Sequence, residues 1–125
     1  MMYLLDTHTM LWYLEDNPQL SSKVKKLIEN ETCFVHIISF WEIAIKISIG
    51  KLSLSYDLDQ LISQVQKEAI TILPISENAI KTVKELPLYH RDPFDRLLIA
   101  EALSNNYVFL SVDNQIDPYP IKRAW

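Results

Sequence analysis

Four acidic residues stand where a fold could gather them for phosphate chemistry: Asp6, Glu42, Asp95 and Asp113. Asp6 follows the apolar run Tyr3-Leu4-Leu5. Glu42 follows Phe34-Val35-His36-Ile37-Ile38-Ser39, and Asp113 follows Val108-Phe109-Leu110-Ser111-Val112. Asp95 lies in His90-Arg91-Asp92-Pro93-Phe94-Asp95-Arg96, at the opening of a helical pattern with no strand just before it. Carboxylates held in one cleft repel each other unless a cation sits between them. An oxygen-only donor set suits Mg²⁺ or Mn²⁺, which lower the pKa of water and stabilise charge on a phosphate. The residues therefore point to a metal-dependent enzyme acting on phosphate.

Each acid also has an ordinary structural use. Ser39-Phe40-Trp41-Glu42 is a capping-box pattern, with Ser39 as N-cap and Glu42 at the third helical position. Glu42 can pair with Lys46 one turn on. Asp92-Pro93 reads as an N-cap followed by the favoured proline, and Asp95 then sits in a first turn where the helix dipole favours an acid. Asp6 can cap a helix starting at Thr7, and Asp113-Asn114 can be a turn. Taken singly, Glu42, Asp92 and Asp113 read as caps and turns, whereas Asp6 and Asp95 divide evenly. Caps alone have no reason to favour one edge of a sheet, yet three of the four main predicted strands run into an acid at their carboxyl ends. The third ends at Pro74-Ile75-Ser76-Glu77, where Glu77 reads as a plain first-turn acid.

The elements that must position these residues follow from hydrophobic periodicity. Strands are expected at Met2–Leu5, Cys33–Ile38, Ala69–Leu73 and Tyr107–Val112, with a short edge strand at Tyr119-Pro120-Ile121. Helices are expected over Thr7–Glu15, around Leu20–Ile28, over Ser39–Ile49 with Gly50 as C-cap, around Leu58–Val65 and Ala79–Leu86, and over Pro93–Ser104. The alternation predicts a parallel sheet with helices on both faces, whose ligands bind at the carboxyl ends of the strands. The helix over Trp41–Ile49 is apolar on more faces than one sheet can cover, which predicts an interface and a homodimer.

Composition narrows the function. The chain has 125 residues, 49% hydrophobic and 22% charged, which is one globular domain spanning 1–125. Its net charge of −4 argues against a protein that grips nucleic acid by charge alone. It leaves room for a nucleic-acid enzyme, because bound divalent cations invert the field of an acidic site. Gly50 is the only glycine, so Gly-rich phosphate loops are excluded. The single Cys33 makes no internal disulfide and fits a reducing cytosol. The apolar start carries Asp6 and no basic leader, so neither a signal peptide nor a membrane span is expected. His8, His36 and His90 lack zinc-like spacing. Arg91 and Arg96 flank Asp95 and either contact phosphate oxygens or pair with Asp92 and Asp95.

Leu4-Leu5-Asp6-Thr7-His8, Trp41-Glu42-Ile43-Ala44-Ile45-Lys46 with Gly50-Lys51-Leu52, His90 to Ala100, and Ser111-Val112-Asp113 occur in this order over almost the whole chain. Together they resemble the PIN domain, most of all the VapC toxins of bacterial toxin–antitoxin pairs. The resemblance implies a PIN-like three-layer α/β/α fold with a mainly parallel sheet of four to five strands. It implies a cytoplasmic, dimeric endoribonuclease that uses Mg²⁺ or Mn²⁺ and is restrained by an antitoxin protein. It carries the family's acidic roles, catalytic and metal-binding, onto Asp6, Glu42, Asp95 and Asp113. Thr7 and Ser111 become further candidates for phosphate contact. The last motif departs from the family's frequent threonine, with Ser111 keeping the hydroxyl.

Two rival enzymes fail locally. A haloacid-dehalogenase-type phosphatase needs a second acid two residues after the first, where this chain has His8. A receiver domain needs an acidic neighbour for Asp6 and a lysine after the fourth strand, and neither is present. A rival of another class is a non-catalytic PIN-fold module that only docks a protein or RNA partner.

Overall fold

The computed structural model describes all of residues 1–125. Five strands, β1 (Met2–Leu5), β2 (Thr32–His36), β3 (Thr71–Leu73), β4 (Val108–Leu110) and β5 (Lys122–Ala124), form one sheet in the order β3-β2-β1-β4-β5. Every pairing is parallel. The six helices are α1 (Thr7–Leu14), α2 (Ser22–Asn30), α3 (Ile37–Ser48), α4 (Leu58–Lys67), α5 (Glu77–Glu85) and α6 (Pro93–Asn105).

Strand periodicity divides the core into two. Tyr3, Leu5, Cys33, Val35, Val108 and Leu110 point to one face, where they pack with Met10, Leu11, Val24, Ile28, Leu61 and Val65 of α1, α2 and α4. Leu4 and Phe109 point to the other and pack with Ala79 of α5 and Leu97 to Ala100 of α6. α3 serves both sides, giving Phe40 and Ile43 to the first core and Ile38 to the second. The result is the three-layer α/β/α sandwich expected from the sequence.

Several boundaries differ from the periodicity reading, each for a local reason. α3 begins at Ile37 rather than Ser39, because His36 Nδ1 accepts the Ile38 N–H at 3.1 Å and caps the helix. The capping box expected at Ser39 and Glu42 is therefore absent, and both residues lie inside the helix. Ala69 takes a left-handed φ of 58° at the end of α4, which delays β3 to Thr71. The edge strand forms at Lys122–Ala124 instead of Tyr119–Ile121. Ile121 N–H donates to Tyr119 O at 2.8 Å and closes a turn there.

One buried polar group anchors α6. Glu101, 2% exposed within this apolar helix, lies 2.6 Å from His36 Nε2 and accepts a hydrogen bond from Ser76 Oγ. Because His36 Nδ1 is an acceptor, the imidazole proton sits on Nε2 and points at Glu101. Burial lowers the His36 pKa below its ordinary 6.5, against the opposing pull of Glu101. The trio joins the end of β2, the N-cap of α5 and the middle of α6.

Glu101→Ala should cost about 3 kcal/mol, because it strands the fully buried His36 donor and removes the partner of the half-buried Ser76 hydroxyl. The check is a lower urea midpoint at unchanged slope. A depressed folded-state pKa gives stability that is full above the unfolded value and lost as pH falls through the folded one. Stability should therefore decline as pH drops below 6.5, and His36→Asn should flatten that decline in pH-dependent urea titrations.

Candidate active site: an acidic cleft at the switch point of the sheet

The strand order places β1 at the centre, with β2 on one side and β4 on the other. The chain winds from β1 toward β2 and β3, then crosses back to β4. The reversal opens a crevice between the carboxyl ends of β1 and β4, the usual ligand position in such sheets. The two ends are tied together by Asp6 N–H to Leu110 O at 3.1 Å and by Thr9 Oγ1 to the same oxygen at 2.9 Å.

All four predicted acids line this cleft of about 280 Å³, together with Thr7, Ser111, His8, Lys46 and Asp92. Asp6 enters from the end of β1, Glu42 from α3, Asp95 from the first turn of α6, and Asp113 from the loop after β4. Asp6 and Asp113 are N-caps as well as cleft residues. Asp6 Oδ1 accepts from Thr9 N–H at 2.7 Å, and Asp113 Oδ1 accepts from Gln115 N–H at 2.9 Å. The cap occupies one oxygen in each case; the other is free of protein donors in Asp6 and faces His90 Nε2 at 3.3 Å in Asp113. The capping and chemical readings are therefore compatible, since a carboxylate has two oxygens.

Glu42 is 4% exposed and its oxygens are both engaged. Thr7 Oγ1 donates to Oε1 at 2.8 Å, and Lys46 Nζ donates to Oε2 at 2.7 Å. Ser39 Oγ lies 2.9 Å from Thr7 Oγ1. Thr7 spends its one proton on the carboxylate, so Ser39 is the donor there. Ser111 Oγ accepts the Asp113 N–H at 3.1 Å and so shapes the loop that carries that acid.

The two arginines proposed for phosphate contact do not line the cleft. Arg91 is exposed on the surface. The Arg96 guanidinium donates to the carbonyls of Val83, Leu86, Pro87 and His90 and to Tyr119 Oη. It caps the carboxyl end of α5 and pins the following loop, so its donors are spent on the scaffold.

Three residues carry more than the sequence reading gave them. His90 Nε2 lies 3.2 Å from Asp95 Oδ2 and 3.3 Å from Asp113 Oδ2. Its Nδ1 accepts the Asp92 N–H, so Nε2 holds the proton and bridges the two acids. Asp92, the N-cap of α6, adds a further carboxylate. Lys46 appeared in the sequence only as an i+4 partner of Glu42. The dense run His90 to Asp95 was the available signal for the first two.

The electrostatics fit a cation. Asp95 is pushed up to about 7, chiefly by burial and then by Asp92, with Glu42 and Asp6 adding to the rise and His90 opposing it. Lys46 is held above its ordinary value, first by its hydrogen bond to Glu42. The ligand atoms of His90, Asp95 and Asp113 all lie within 4.8 Å of one another. A protonated Nε2 offers a metal no lone pair, however, so His90 in this tautomer is a donor to the acids. Asp6 and Asp95 each keep an oxygen without a protein donor. These oxygens, with Asp113 beside them, form the hard set that Mg²⁺ or Mn²⁺ prefers.

Fold and site together define a three-layer α/β/α domain with a carboxylate cleft at its switch point. A family model for the PIN domain matches residues 3–122, and the chain belongs to the PIN-domain family. Among solved structures it is similar to VapBC2 from Rickettsia felis bound to a DNA fragment from its promoter. That match has 17% identity and a TM-score of 0.72 over 99% of this chain and 98% of that one. VapBC-1 from nontypeable Haemophilus influenzae is 20% identical, with a TM-score of 0.67 over 99% and 97%. FitAcB from Neisseria gonorrhoeae is 16% identical, with a TM-score of 0.67 over 98% and 96%. At these identities the likeness is one of fold. No curated protein matches the sequence.

An acid whose pKa is raised stabilises the fold fully below its unfolded value and loses that contribution as pH rises through the folded one. In metal-free buffer, Asp95→Asn should therefore be more stable than wild type at pH 8, by on the order of 1 kcal/mol. The gap should close toward pH 4, where the aspartate is itself neutral. Thermal unfolding in EDTA across that range is the check. A gap that does not change with pH would refute the crowding.

Proposed function

We propose that the protein is a metal-dependent endoribonuclease, the toxin of a toxin–antitoxin pair. The observation that carries this reading is the convergence of Asp6, Glu42, Asp95 and Asp113 on one cleft at the sheet's switch point. Membership of the PIN-domain family and likeness in fold to the VapBC and FitAB complexes support it. Asp6 and Asp95 would hold the cation, with Asp113 completing the set directly or through water. Bound there, Mg²⁺ or Mn²⁺ supplies Lewis acidity and a water of lowered pKa. His90 keeps Asp95 and Asp113 oriented, and Ser111 fixes the loop behind Asp113. The backbone N–H groups at the start of α1 and α6 favour negative charge in front of them.

Asp6→Asn or Asp95→Asn should reduce Mg²⁺-dependent RNA cleavage at least about 10³-fold while leaving the circular dichroism spectrum unchanged. Saturating Mg²⁺ or Mn²⁺ should raise the melting temperature of wild type, by about 2.7 kcal/mol of stability at 100 times Kd. The double variant should lose that increment. Undiminished cleavage by both single variants would overturn the assignment.

The partners in this reading are an RNA substrate, a cognate antitoxin and a second copy of the chain. Ile37 and Trp41, one turn apart on α3, are exposed, Trp41 at 59%, and Ile47 and the C-cap Ile49 are exposed at its carboxyl end. Apolar exposure along one helix supports an interface there. Sedimentation at micromolar concentration should give the mass of a dimer, and Trp41→Glu should shift it to the monomer.

A further inference from the structure

The cleft that would receive an RNA phosphate holds five carboxylates, Asp6, Glu42, Asp92, Asp95 and Asp113, and a single lysine or arginine, Lys46. A phosphodiester brings another negative charge to this place, and repulsion must be offset by more than a shared cation. Arg91 lies outside, and the donors of Arg96 are spent on carbonyls and on Tyr119. Arg123 is likewise held by Asp117 and by Ser111 O. Lys46 alone brings a side-chain ammonium to the cleft.

Glu42 is the one acid of the cleft whose carboxylate is paired with an ammonium. Asp6 and Asp95 each keep a carboxylate oxygen free of protein donors. Glu42 has a protein donor on each oxygen, Thr7 on Oε1 at 2.8 Å and Lys46 on Oε2 at 2.7 Å, and one of the two is a full positive charge. A cation on Glu42 would have to share an oxygen with one of these donors, and at Oε2 it would meet the Lys46 ammonium, a like charge only 2.7 Å from that oxygen. Lys46 in turn has three donors and uses one on Glu42, leaving two that can turn to phosphate oxygens. A compact ammonium on a flexible stem can hold both partners at once.

We propose that Lys46 is the phosphate-gripping residue of this cleft, and that Glu42, braced by Thr7, positions its ammonium rather than binding the cation. The proposal rests on the ribonuclease reading. In it, Lys46 faces the non-bridging oxygens of the scissile phosphate and offsets the charge that builds there as water attacks and the P–O bond breaks. Glu42 is a positioning residue acting through Lys46.

The test separates phosphate contact from charge balance. With bulk cellular RNA as substrate, Lys46→Met should lower the cleavage rate at saturating Mg²⁺ by about 10²-fold. The Mg²⁺ concentration for half-maximal activity should stay the same. Lys46→Arg should recover most of the rate, and Lys46→Gln repeats the loss with a polar filler should Met disturb the fold. Glu42→Gln should raise the RNA requirement, again without changing the Mg²⁺ requirement. Binding is read separately, in an Asp95→Asn background that does not cleave, by anisotropy of a short mixed-sequence RNA oligonucleotide. There Lys46→Met should weaken binding and reduce the salt slope by about 0.7, the loss of one phosphate contact on a single strand. A variant Lys46→Met with full maximal rate and a lower Mg²⁺ requirement would overturn the proposal, making the ammonium a mere stand-in for the cation. A raised Mg²⁺ requirement in Glu42→Gln would restore Glu42 as a ligand and overturn it equally. Failure of the ribonuclease reading would look different: wild type and Asp6→Asn would be alike in lacking metal-dependent cleavage.

Discussion

Mutual repulsion among carboxylates at the end of a parallel sheet is the constraint around which this molecule is built. Five of them share one cleft, and Asp95 is driven toward neutrality by burial and by its neighbours. Such a site is steadied where hydrogen-bond donors face its carboxylates. Most of the donors are local, Thr9 N–H for Asp6, Gln115 N–H for Asp113, Phe94 and Asp95 N–H for Asp92 and Lys46 for Glu42, while Thr7 reaches Glu42 from α1 and His90 reaches Asp95 and Asp113. Most of these are orphan amides of helix starts, groups that would otherwise need a cap. The helices are stabilised and the acids are aimed by the same bonds.

The rest of the fold holds those helix starts still. α6 carries Asp92 and Asp95 at its amino end, and its middle is fastened by Glu101 to His36 and Ser76. Arg96, one residue past Asp95, binds the carboxyl end of α5 and the loop leading to His90. Tyr119 completes that clamp, accepting the His90 N–H and donating to Pro87 O at 2.6 Å. The His90 imidazole is thereby placed against both Asp95 and Asp113. A cation site needs such support, because ligands that are loosely held cost affinity.

This division of labour also explains how an acidic chain could act on RNA. A net charge of −4 gives little attraction at a distance. Recognition would then fall to the bound cation, the helix amino ends and Lys46 inside the cleft. Shape and partner surfaces would supply the remainder, among them the exposed Ile37 and Trp41 of α3.

The sequence by itself determined the elements and the candidate acids. Continuous apolar runs located β1, β2 and β4 to within a few residues, and the stripes of α2, α4 and α5 were legible because half of each helix faces water. Asp6 and Asp95 were legible because each stands at a junction where periodicity changes. The capping residue of α3 was not, since a histidine caps only when its ring is turned to the right tautomer, and Glu101 dictates that from 65 residues away. The edge strand was displaced because its pairing depends on β4, not on its own sequence. Arg96 looked like a phosphate ligand from its position beside Asp95, but a side chain's partners are chosen by what packs around it. Here those partners are the carbonyls of α5 and its loop. The strand order, and with it the meeting of Asp6 with Asp113, was decided only in three dimensions. Local propensity sets where strands lie along the chain, whereas their order comes from which helices can cover which face.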